Sequence, residues 1–304
     1  MAEHEILEAV APLWEADETH VVDRYRPPSE SIIMNITGKK GEDPIDPFIP
    51  IEKRPLNDGQ GNFAHAYGIY LGEGDESVHV GNVSDRYLVV PNREARDAML
   101  DIATNSGLQF EETRLFWDGK RMLHVIEFPG TNVPIDPEDA GDTIGLALVM
   151  RNSYDTSWRF KAGLMGMRQI CSNGILSGEF FAEYSFPHVD ENANWQESLA
   201  EALAMIQTEG SSNAGSLLAA LRGMKQVSAS VFIDQIPDIL PGVGDAALGA
   251  IMRRWSREND ATMFGLFNAV TAHYWHGKAF TAAGVKNMER VVTVMMRYGL
   301  SFTS

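Results

Sequence analysis

The alternation of apolar and polar positions changes its period once along this chain, near Pro187. Before that point, short runs rich in aliphatic and aromatic residues lie between Gly, Pro and Asp clusters, a pattern that predicts strands. Ala64–Leu71 reads as a strand, Gly72–Asp75 as a turn and Ser84–Val90 as a second strand. Ala95, Met99, Ile102 and Ala103 then recur at helical spacing, with Asn92 placed to cap the helix start and Gly107 to stop it. Thr113–Trp117 and Arg121–Ile126 flank Asp118-Gly119 and predict a hairpin. A proline- and acid-rich stretch from Gly130 to Asp142 reads as a loop. The unbroken apolar run Ile144–Met150 reads as a central strand buried on both faces, and the alternating Trp158–Gly163 as its neighbour.

Beyond Pro187 the period is helical. Trp195, Leu199, Leu203 and Ile206 mark one helix, and Leu217, Leu218, Leu221 and Met224 a second. Leu248, Ile251, Met252 and Trp255 mark a third, and Met263, Phe267, Val270 and Tyr274 a fourth. In the last, Met288, Val291, Val292, Met295 and Met296 form a continuous apolar stripe. Strands first and helices afterwards predict an α+β fold: a largely antiparallel sheet in the N-terminal half and a helical C-terminal third. The organisation expected is an acidic, proline-rich arm over residues 1–60, a strand-rich domain over 61–190, and a helical region over 191–304 packed on or beside it. Ile32–Ile36 gives the arm one apolar anchor, and an oligomer contact is one use for it.

Composition narrows the class. At 44% hydrophobic and 22% charged residues, the chain has the make-up of a globular protein. No stretch approaches the roughly 18 consecutive apolar residues of a membrane span. Cys171 is the one cysteine, which fits a reducing compartment, and the acidic N-terminus is unlike a secretory signal. A cytoplasmic location is therefore expected. Fourteen methionines, many on the C-terminal stripes, suggest more apolar helix surface than one small sheet covers, so a homo-oligomer is expected.

The net charge of −17 argues against indiscriminate binding to polyanions. Residues 1–194 nevertheless hold one basic island, with Arg151, Arg159, Lys161 and Arg168 against Asp155 alone. The island interleaves these cations with Tyr154, Trp158 and Phe160, and adds Asn152 and Asn173. Cations neutralise phosphates, aromatic rings stack on bases, and amides supply hydrogen bonds, which is the chemistry of a single-strand binder. The same pattern also suits a strand pair whose aromatics face the core and whose cations pair with surrounding acids.

Catalytic templates are absent: no Gly-x-Ser-x-Gly elbow, no phosphate-binding Gly-Lys-Ser/Thr loop and no His-Glu-x-x-His. Gly242-Val243-Gly244 reads as a loop leading into a helix. His273 and His276 share a helix face but lack a third ligand, so no metal or cofactor is expected. His65, His79 and His124 lie on three candidate strands, and Cys171 has Arg168 one helical turn before it.

Four segments carry a resemblance. Tyr87-Leu88-Val89-Val90-Pro91-Asn92, Asn152-Ser153-Tyr154-Asp155, Arg168-Gln169-Ile170-Cys171-Ser172-Asn173 and Asn268-Ala269-Val270-Thr271 occur in the order and spacing of the phage/plasmid-like family built on the domain of unknown function numbered 932. The likeness covers about residues 60–280. It implies a mobile-element origin, among genes for replication, recombination or evasion of host defences. Tyr154 stands where that family usually has His, and Thr156 where Gly is common.

The reading that follows is a phage or mobile-element accessory protein that binds nucleic acid, single-stranded DNA foremost, in recombination or replication. A strand-annealing oligomer is its sharper form. Arg151, Arg159, Lys161 and Arg168 would hold phosphates, Tyr154 and Trp158 would stack, and Asn152 and Asn173 would hydrogen-bond. The alternatives are an acidic protein-binding module or DNA mimic acting on a host defence protein, a structural or assembly protein of the phage, and an enzyme with a divergent site around Asp155, Arg168 and Cys171.

Overall fold

The computed structural model describes residues 33–36, 45–136, 139–168, 173–175, 183–189, 194–257, 260–275 and 282–302. Two sheets occupy the first two thirds of the sequence. The smaller contains β2 (Ile51–Asn57), β3 (Phe63–Leu71) and β4 (Val78–Val83), in that spatial order. The larger has seven strands: β1 (Ile33–Ile36), β5 (Glu111–Trp117), β6 (Arg121–Asp136), β7 (Asp139–Ser153), β8 (Phe160–Arg168), β9 (Asn173–Ile175) and β10 (Glu183–Phe186). Its order is β1-β5-β6-β7-β8-β10, with β9 also on β8. All the pairings are antiparallel except β1 with β5, so the α+β expectation holds.

The apolar run that predicted a central strand forms the middle of β7, where Leu146, Ala147 and Leu148 are all buried. Consecutive buried residues require cover on both faces of the sheet. Helix α1 (Asn92–Asn105) packs on β6 and β7 through Ala95, Met99 and Ala103. The C-terminal helices are α2 (Trp195–Gln226), α3 (Ala229–Phe232), α4 (Ile236–Ile239), α5 (Asp245–Trp255), α6 (Met263–Trp275) and α7 (Ala282–Leu300). The stripe of α7 is fully buried at Val285, Met288, Val291, Val292, Met295 and Met296, and α2 meets it with Leu217, Leu218, Leu221 and Met224. Gly299 marks their closest approach, since a Cβ there would stand 2.6 Å from the Ala220 carbonyl oxygen. One continuous apolar core joins the sheets to these helices.

Several local expectations change. The second strand is Val78–Val83, and residues 84–90 are irregular. There the backbone is held from outside, with Lys53 Nζ donating to the carbonyls of Asp85 and Tyr87. Pro91, not Asn92, occupies the helix N-cap, because the Asn92 side chain turns inward. Within the stretch expected as a loop, residues 130–136 and 139–142 are strand, with Val133 opposite Ile144 and Asp136 opposite Asp139. The first two C-terminal helices are one helix of 32 residues, since no proline interrupts residues 207–216. Residues 51–57 belong to the small sheet, so the fold reaches back into the stretch read as an arm. The methionine stripes that suggested self-association are covered within the chain: Met224, Met263, Met288, Met295 and Met296 are inaccessible.

Candidate nucleic-acid interface

The basic island folds as the end of β7, a loop over residues 154–159, and β8. Cross-strand pairing sets Arg151 opposite Lys161, so both side chains share one face. That face already carries acid. Glu289 of α7 lies 2.8 Å from Arg151 and 3.8 Å from Lys161, and Glu183 of β10 lies 2.7 Å from Lys161. The Arg151 side chain is 9% exposed. Two of the four island cations are therefore neutralised within the chain.

Asn152 projects to the opposite face and is inaccessible. Its Nδ2 donates to the Val90 carbonyl at 2.7 Å and to Asn92 Oδ1 at 2.8 Å. Tyr154 is equally buried, its ring edge-on to Trp117, and its hydroxyl accepts from the Asn92 backbone N–H at 2.8 Å. Tyr87 donates its hydroxyl to the Ser153 carbonyl at 2.6 Å and stacks on His188 at 4.9 Å. Burial, with Asp155 nearby, pushes the Tyr87 hydroxyl above its ordinary range; burial does the same to Tyr154. Two of the four recognised segments, Tyr87–Asn92 and Asn152–Asp155, are thus hydrogen-bonded to one another. They fasten the start of α1 to the end of β7. Neither Asn152 nor Tyr154 is placed to touch a base, which corrects the roles expected for them.

The loop between the strands departs from ordinary backbone geometry. Thr156 has φ +65°, a left-handed conformation that β-branched residues rarely adopt. Glycine would adopt this conformation without that penalty. Asp155 Oδ1 holds the loop by accepting from the Ser157 backbone at 3.1 Å and from the Ser157 hydroxyl. Trp158 is half-buried with the Arg151 guanidinium 5.8 Å over its ring, and Arg159 beside it is exposed. Arg168 and Asn173 are register partners at the junction of β8 and β9, and their side chains lie outside the described residues. Among the described side chains singled out in the island, Trp158, Arg159 and part of Lys161 reach solvent.

The other candidates are not assembled into a site. His276 and Cys171 lie outside the described residues, and no group of three metal-ligating side chains occurs among those described. His273 is held below its ordinary pKa by burial and by Arg254. His65 and His79 sit in the small sheet and His124 in the large one. Gly242, at φ +68°, and Gly244, the N-cap of α5, form the loop expected before a helix.

Two features escaped the sequence reading. Arg96 of α1 grips Glu112 of β5 through Nε at 2.7 Å and Nη2 at 2.6 Å, and His124 of β6 reaches the same carboxylate at 2.7 Å. Burial alone would raise the Glu112 carboxyl, but the hydrogen bonds from His124 and Arg96 outweigh it and hold it down to about 2. Its signal was a single acid on an inward-facing strand position. The second is a charge division. Residues 253–304 hold seven basic and three acidic residues, while the rest of the chain holds 18 and 39. Arg253, Arg257, Lys286 and Arg290 are exposed, and none has a carboxylate partner among the described residues. Counting charge over residues 195–304, which sum to zero, concealed this.

The family described as Domain of unknown function (DUF932) matches residues 79–295, well over half of the chain. No curated protein and no solved structure gives a significant match.

Proposed function

We propose that this chain, which belongs to the family built on the domain of unknown function 932, binds nucleic acid as an accessory protein of a phage or related mobile element. The ligand that suits it is single-stranded DNA, in recombination or replication. The observation that carries the reading is the division of charge: Arg253, Arg257, Lys286 and Arg290 are exposed and have no carboxylate partner among the described residues, on a molecule that is otherwise strongly acidic. Exposed cations attract a polyanion locally while the acid elsewhere in the chain repels it, which favours contact at the C-terminal residues. Trp158 and exposed Arg159 supply a second contact of the stacking type. Exposed Val231, Ile233 and Phe302 at the helical end offer apolar surface for a homo-oligomer, the arrangement a strand-annealing protein needs.

The test is binding of labelled single-stranded DNA, duplex DNA and RNA to the full chain at two salt concentrations. Tight, salt-sensitive binding of single strands is expected, and no binding of any of the three at low salt would refute the reading. A second reading rests on α1, where Glu94, Asp97 and Asp101 are all exposed along one helix. A regular row of carboxylates suits an acidic module or DNA mimic that docks on a host protein, and such a protein would leave DNA unbound in the same assay.

A further inference from the structure

Two exposed helix faces of this chain carry opposite charge. On α1, Glu94, Asp97 and Asp101 are all exposed and recur at i, i+3 and i+7, so they stand in one row. On α7, Lys286, Arg290 and Arg297 are exposed at i, i+4 and i+11. They form a second row, on the side of the helix away from buried Met288, Val292 and Met295.

The opposite charges on each helix are engaged elsewhere. Arg96 of α1 grips Glu112, and Arg93 Nε donates to the Phe48 carbonyl at 2.9 Å. Glu289 of α7 is drawn to Arg151 and Lys161. Among the described residues, Asp97 and Asp101 have no cationic partner, and Lys286 and Arg290 have no carboxylate partner. Like charges three and four residues apart on a helix repel, so each row destabilises its own helix until an opposite row meets it. The spacings agree as well. Glu94 and Asp101 are seven residues apart, and so are Arg290 and Arg297, about 10.5 Å of helix axis in each case. Arg290 is also held in place. Its Nη2 donates to Asn287 Oδ1 at 3.0 Å, and its guanidinium lies against Gly242, where a Cβ would stand 2.5 Å from the same nitrogen.

We infer that the acidic row of α1 in one copy of this chain docks on the basic row of α7 in a second copy, with Glu94 and Asp101 facing Arg290 and Arg297. The contact joins two different surfaces, so each added copy offers a further row of either sign, and the series closes as a ring or extends as a filament. Lys286 and Arg290 also serve in the nucleic-acid reading, so a bound strand and a docked neighbour exclude one another there. The inference itself does not rest on that reading.

The experiment is sedimentation velocity of the full, nuclease-treated protein at low and high salt. It compares wild type with Glu94→Lys/Asp101→Lys and with Arg290→Glu/Arg297→Glu. All four side chains are exposed, and melting temperatures check each fold. Asp97→Lys and Lys286→Glu supply single reversals where a double variant melts early. Wild type is expected to assemble at low salt and to dissociate at high salt. Either double reversal should weaken self-association about a hundredfold, because like charges then meet across the contact. An equimolar mixture of the two reversed proteins should assemble again, since the two reversed rows pair with each other and so do the two native ones. Monomeric wild type at low salt, self-association unchanged by either reversal, or a mixture no more assembled than its components overturns the inference. Each of these results leaves the nucleic-acid reading standing.

Discussion

Replacing Glu112 with Gln tests the largest electrostatic commitment in the fold. The change keeps the shape and removes the charge that Arg96 and His124 share at 2.6 to 2.7 Å. With side-chain exposures of 2% for Glu112, 2% for His124 and 17% for Arg96, water does little to replace it. Breaking a buried ion network from one side costs about 3–5 kcal/mol. An independent route agrees. Depression of the carboxyl from 4.5 to about 2 corresponds to about 3 kcal/mol of charged-state stabilisation. Because the folded pKa is the lower one, this stability is present above pH 4.5 and is lost as the pH falls towards 2. Urea unfolding across that range should show Glu112→Gln less stable at neutral pH and flatter in acid. The triple variant Arg96→Met, Glu112→Leu, His124→Leu should recover most of the loss, since an apolar replacement leaves no stranded charge. A loss below about 1 kcal/mol for Glu112→Gln, or a triple variant worse than the single, would refute the reasoning.

Three further expectations follow from the same geometry. Thr156→Gly should stabilise the protein by about 1 kcal/mol, because glycine adopts φ +65° without penalty; a lower melting temperature would contradict this. His188, held near 4 by burial although the Leu88 carbonyl partly opposes the shift, stays neutral in the fold. Its contribution is complete above pH 6.5 and falls by about 3 kcal/mol on the way to pH 4, so His188→Gln should flatten that part of the stability profile. Tyr154→Phe should cost about 1–3 kcal/mol by stranding the Asn92 N–H, and should leave nucleic-acid affinity unchanged; weakened binding at unchanged stability would restore the surface role first expected of Tyr154.

Periodicity located β3, the β5–β6 hairpin, the run in β7 and the later helices, because each buries a face whose spacing its own sequence records. It misplaced the strand at 84–90, whose conformation depends on Lys53 and His188, residues distant in sequence. It also read residues 130–142, with Pro134, as a loop, where bulges in the register between Phe128 and Val133 and between Pro134 and Asp136 accommodate an extended ribbon. The island at Arg151–Lys161 had two readings with one composition. The approach of Glu183 and of Glu289, the latter more than a hundred residues later, distinguishes a neutralised face from a free one. The sorting of charge onto residues 253–304 was present in the sequence and was missed through the choice of window.

The most direct measurement is the salt dependence of single-stranded DNA binding by wild type and by the variant Arg253→Ala, Arg257→Ala, Lys286→Ala, Arg290→Ala. All four side chains are exposed, so the fold should be retained. Each phosphate contact contributes about 0.7 to the slope of log K against log salt on a single strand. The account predicts a slope shallower by about 3 in the variant, with affinity weakened most at low salt. A wild type that binds no single strand, or a variant with the wild-type slope, would contradict it.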